Sequence, residues 1–99
     1  MEEDKVQKVI DMIKRMDIKD KLRLGICLAT SEWAHILYNK TEMYNRFDTM
    51  LKEVDEEYRT TIINFGKYFN VMFAMAKIME MSEEERNKVA LYLFNSVKN

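Results

Sequence analysis

Apolar residues recur three and four positions apart along most of the chain, the spacing of one face of an α-helix. In EEDKVQKVIDMIKRM, residues 2–16, Val6, Val9, Ile10, Ile13 and Met16 share a face, with acids early and Lys14 and Arg15 late, as the helix macrodipole favours. One amphipathic helix is expected there. Asp17, followed by Asp20 three residues on, reads as the N-cap of a second helix running to about Asn39. Its stripe is Leu22, Ile26, Ala29, Trp33 and Leu37, widened by Leu24, Leu28 and Ile36.

Part of that second segment also alternates. In KLRLGICL, residues 21–28, four apolar residues interleave with Lys21, Arg23, Gly25 and Cys27, the period of a half-buried strand. A strand needs a partner, and the only other β-favouring run is TTII at 60–63. Helix is the expectation, and a ribbon paired across a dimer is the alternative.

Thr41 reads as the N-cap of a third segment, in which Tyr44, Phe47, Leu51, Val54 and Tyr58 carry the pattern. It resumes through Ile62, Phe65, Phe69, Met72, Ala76 and Met79. Two successive steps of four between Val54 and Ile62 shift the stripe, and Gly66 with TTII weakens a helix in the same region. Ser82 and Glu85 form a capping-box pattern opening the last helix, EEERNKVALYLFNSVK.

A single helix over residues 42–81 would run about 60 Å at 1.5 Å per residue, against roughly 20–35 Å for the others. The segment therefore either breaks near 55–61 and folds back, or its far end is covered by a second copy of the chain. The stretch NFGKYFNVMFAMAKIMEM, residues 64–81, is apolar in most directions, which favours the second copy. Phe69, Met72, Ala76 and Met79 define its stripe, with Met75 off it. A homo-oligomer is expected, with Phe69, Met72, Phe73, Met75 and Met79 as the surface for self-association or a protein partner.

Composition supports this picture. The 99 residues are 47% apolar and 33% charged, with no Pro and two Gly, far from a disordered composition and short of turn chemistry. One all-α domain spanning 1–99 is expected, a small bundle of four to five helices whose third is long or broken. A net charge of −1 excludes a globally basic nucleic-acid coat and an acidic mimic alike. Cys27 stands alone, so no intrachain disulfide forms and a reducing, cytoplasmic setting is expected. The acidic start MEEDKVQKV lacks the apolar core of a secretory signal. Lys67 and Lys77 leave nine uncharged residues between them, short of the roughly 20 that span a bilayer, so no membrane partner is expected. Usage rich in Lys, Asn, Ile and Met suits an AT-rich genome, a viral one included.

Candidate chemistry is sparse. Glu32 and His35 form E-x-x-H, the spacing of carboxylate-bridged di-iron bundles, but His35 is the only histidine. Glu53, Glu56 and Glu57, and later Glu80, Glu83 and Glu84, resemble E-x-x-E magnesium sites faintly, and Glu83 to Glu85 fit better as acids at a helix N-terminus. Nucleophile elbow, Walker loop, dinucleotide fingerprint and cysteine pair are all missing. No catalytic residue, metal or cofactor is assigned. The run KRMDIKDKLR gathers Lys14, Arg15, Lys19, Lys21 and Arg23, a candidate polyanion site diluted by Asp17 and Asp20. Nine methionines, with Met72, Met75, Met79 and Met81 in the apolar stretch, suit adaptable packing or recognition. The sequence points to a small non-enzymatic interaction protein that self-associates and binds another macromolecule; the alternative is a helical nucleic-acid- or nucleotide-binding module using the 14–23 run.

Overall fold

The computed structural model describes residues 2–31, 40–54 and 69–97, and among these the periodicity resolves into five helices. These are α1 (Glu2–Arg15), α2 (Ile18–Thr30), α3 (Lys40–Val54), α4 (Phe69–Met79) and α5 (Glu83–Val97), with no strand among the described residues.

Local chemistry sets the first turn. The Met16 N–H bonds the Ile13 carbonyl at 3.1 Å, and Asp17, extended at φ −76° and ψ 174°, accepts from the Asp20 N–H at 2.8 Å. That carboxylate satisfies one of the orphan donors opening α2. The alternating run 21–28 lies wholly within α2. It reads as a strand because α2 is buried on several sides at once: Leu22, Leu24, Gly25, Ile26 and Leu28 are all covered, and the helix contacts α3, α4 and α5. A centrally buried helix erases its own period.

α2 stops at Thr30, well before Asn39, with Ser31 extended at φ −70° and ψ 162°. Here the Thr30 hydroxyl donates to the Ile26 carbonyl at 2.9 Å and the Ser31 hydroxyl to the Leu28 carbonyl at 2.8 Å. Adjacent hydroxyl residues take over the carbonyls of the last turn and close the helix. Trp33, Ile36 and Leu37, expected to prolong its stripe, lie outside the described residues, as do Glu32 and His35.

α3 begins at Lys40, so Thr41 falls inside the helix and not at its cap. Met43, Phe47 and Leu51 face inward. α3 ends at Val54 and α4 starts at Phe69; the expected break near 55–61, with TTII and Gly66, falls on residues 55–68, outside the described set.

One core unites the elements. Val9 and Ile13 of α1, Leu22 and Leu28 of α2, Phe47 of α3, Val71 and Ile78 of α4, and Val89 and Leu93 of α5 are fully buried within it. Phe47 and Phe94 meet edge to face, with centroids 6.1 Å apart and planes at 65°. The radius of gyration, 12.3 Å, agrees with the roughly 13 Å of a compact chain this long.

The hairpin of α4 and α5 fixes which side of α4 meets solvent. Its capping box forms as the spacing predicts: the Glu85 N–H donates to the Ser82 hydroxyl at 3.2 Å, and the Ser82 N–H to Glu85 Oε1 at 2.9 Å. Arg86 then reaches back, its Nε donating to the Ile78 carbonyl at 3.2 Å and its Nη2 to the Met79 carbonyl at 2.7 Å. A cation at the C-terminus of α4 satisfies exposed carbonyls and the macrodipole together, locking α4 in rotation against α5.

Candidate interaction surface

α4 carries two apolar stripes with identical steps of three, four and three. Val71, Ala74, Ile78 and Met81 make one, and all four are buried. Phe69, Met72, Ala76 and Met79 make the other, and all four are exposed. The stripe Phe69, Met72, Ala76 and Met79, three of whose members are expected at an interface, thus faces out. Val71, Ala74 and Ile78 lie inward instead, in a helix that packs on α1 and α2.

Met75 changes role with this rotation. The sequence places it among the interface residues and off the Phe69, Met72, Ala76 and Met79 stripe, yet it is half-buried and packs against the core. The remaining four, Phe69, Met72, Phe73 and Met79, point to solvent. Phe69 is 67% exposed, Phe73 59%, Met79 57% and Met72 39%. At about 100° per residue, Met79, Met72, Ala76, Phe69 and Phe73 follow one another around an outward arc of about 120°, with Ala76 at its centre. Lys77 and Asn70, both exposed, mark the polar edge beyond Phe73. Taking each large side chain at roughly 200 Å², the four display between roughly 400 and 500 Å² of mainly apolar surface.

The basic run fares differently. Lys14, Arg15 and Lys19 are exposed as expected. Lys21 is half-buried and donates from Nζ to the Ser96 hydroxyl at 2.9 Å, tying α2 to α5. Arg23 is buried, its Nη1 bonded to Asp20 Oδ1 at 3.0 Å. A charge drawn into the interior is held by such a partner. Three of the five expected cations therefore form a surface group, with exposed Asp17 beside them.

Glu53, Glu80, Glu83 and Glu84 are exposed, while Glu56 and Glu57 lie outside the described residues. No group of three or more His, Cys, Asp or Glu among the described residues is placed to hold a metal ion. Glu85 is nearly covered, and its pKa is lowered from 4.5, first by the Ser82 backbone hydrogen bond. That shift belongs to the helix cap. Burial pushes the Cys27 thiol up from 9.0 to about 11, which leaves it a poor nucleophile at neutral pH. No described helix is long and apolar enough to cross a membrane.

Sequence reasoning misses the inward stripe Val71, Ala74 and Ile78, although its spacing is in plain view. Exposed Leu91, on the outer face of α5 beside Glu84, Asn87 and Lys88, carries no sequence signal that separates it from buried Val89 and Leu93. No protein-family model, curated protein or solved structure matches the chain.

Proposed function

We propose that this chain is a small, non-enzymatic interaction protein that self-associates and binds other macromolecules through the outward face of α4. The observation that supports this reading is the solvent exposure of Phe69, Phe73 and Met79 on a helix whose opposite face already fills the core. Burying between roughly 400 and 500 Å² would release on the order of 10 kcal/mol of transfer free energy before the costs of association. The patch lies within the range of functional surfaces on small proteins, roughly 300–600 Å². Unbranched Met side chains let such a surface adapt to what it meets.

The alternative, polyanion binding through the 14–23 run, is weakened by the engagement of Lys21 with Ser96 and of Arg23 with Asp20. A single half-buried thiol suits a reducing, intracellular setting.

Light scattering at low and at molar salt tests the reading. Association through an apolar face persists as salt rises, whereas a phosphate-contacting module loses affinity steeply. A chain that stays at its monomer mass of 11.9 kDa in both, or that binds nucleic acid with a steep salt slope, would overturn it.

A further inference from the structure

Resting on that reading, we infer that the occupant of the α4 face is α4 of a second copy of this chain, packed antiparallel about a two-fold axis on the outward side of the helix, level with position 74.

Three observations support a second copy. The first is area. One face offers between roughly 400 and 500 Å², so two faces brought together bury about 900 Å² from four side chains each, and the stems of Asn70 and Lys77 at the edge carry the contact to the roughly 1,000 Å² that a specific interface needs. A single chain supplies half of that.

The second is shape. Ala76 sits at the centre of the outward arc, flanked by Met72 and Met79 on one side and Phe69 and Phe73 on the other. A small residue between large ones makes a shallow seat, and Met72, four residues away on the same helix, is a knob of matching size. An antiparallel two-fold about position 74 sets Met72 of each copy over the Ala76 seat of the other and lets the axes approach to about 8–10 Å. The same operation places each Phe69 opposite a Met79, a sulfur–aromatic pairing made twice. Isologous contacts of this kind close on themselves, so the assembly stops at two.

The third is charge. Among the described residues of α4 and the turn after it, the charged groups are Lys77 and Glu80, both at the C-terminal end; Phe69, Asn70, Met72 and Phe73 at the other end carry none. A parallel pair would set Lys77 beside Lys77 and Glu80 beside Glu80. The antiparallel pair sets the charged end of each helix against the uncharged end of the other and opposes the two macrodipoles.

Cysteine cross-linking decides the arrangement. Phe69→Cys and Met79→Cys chains are prepared separately, mixed at equal concentration and oxidised, with Leu91→Cys on the outer face of α5 as control. Native Cys27 stays in place, since its thiol is held protonated. The antiparallel pair predicts disulfides joining a Phe69→Cys chain to a Met79→Cys chain, several-fold in excess of either homodimer, and little product from Leu91→Cys. Random collision gives mixed dimers at only twice the yield of each homodimer. That statistical ratio, or a predominance of Phe69→Cys homodimers, overturns the antiparallel pairing while association itself stands. Chains that scatter at monomer mass at the concentrations used overturn the broader reading with it.

Discussion

Gly25 on α2 lies so close to Phe47 on α3 that a Cβ there would overlap the ring carbons Cγ, Cδ2 and Cε2. The ring cannot swing aside, because Phe47 is fully buried and packs edge to face on Phe94. Glycine is disfavoured in a helix interior by about 1 kcal/mol, and here the close approach of two helices requires it. Gly25→Ala should therefore lower stability by about 1–3 kcal/mol despite its better helix propensity, read as a fall in the urea midpoint at constant slope.

Met75→Glu and Met72→Glu separate the two faces of α4. The first puts a carboxylate against the core and should cost about 2 kcal/mol or more; the second puts it in water and should leave the circular dichroism spectrum of each chain unchanged. Equal loss of helix in both variants would show that α4 is rotated so that both methionines face the core.

The basic corner splits in the same manner. Lys14, Arg15 and Lys19 replaced together by Ser should leave the thermal midpoint within a few degrees, since exposed charges contribute under about 1 kcal/mol each. Arg23→Ser strips the buried partner from Asp20 and should lower stability by about 1–3 kcal/mol. Thermal melts of the two variants give the comparison.

The Ser82–Glu85 capping box predicts a pH dependence. The Glu85 carboxylate has its pKa lowered from 4.5, chiefly by the Ser82 backbone hydrogen bond. The stability it adds is complete above about pH 4.5 and is lost as pH falls toward the lower value in the fold. Glu85→Gln should flatten that part of the stability profile, and Ser82→Ala should cost about 1 kcal/mol at neutral pH.

Cys27 titrates in the opposite sense. Its folded pKa of about 11 lies above the ordinary 9.0, so its contribution is present below pH 9.0 and declines as pH rises toward 11. At neutral pH a thiol reagent should label it slowly in the native protein and quickly in denaturant. Rapid native labelling would place the thiol at the surface.

What can be read from the sequence is mostly local. Asp17 before α2 and the Ser82–Glu85 pair act within one turn, so their spacing alone predicts the bonds found. The end of α2 at Thr30 is less legible, because continuing apolar spacing through Trp33 and Leu37 masks two hydroxyl residues that close the helix. The direction of α4 is not legible. Val71, Ala74, Ile78 and Phe69, Met72, Ala76 obey the same period, and the choice between them depends on how closely α1 and α2 approach, a tertiary quantity. Arg23 likewise looks like one cation among five until the surrounding helices close over it.

Pairing of two copies through the outward face of α4 is decided by the solution mass of the wild-type chain beside Met72→Glu, measured by light scattering at matched concentration, with circular dichroism confirming equal helix content. A dimer built on α4 gives twice 11.9 kDa for the wild type and 11.9 kDa for the variant. Equal masses for two equally helical proteins, whether both single or both paired, would contradict it.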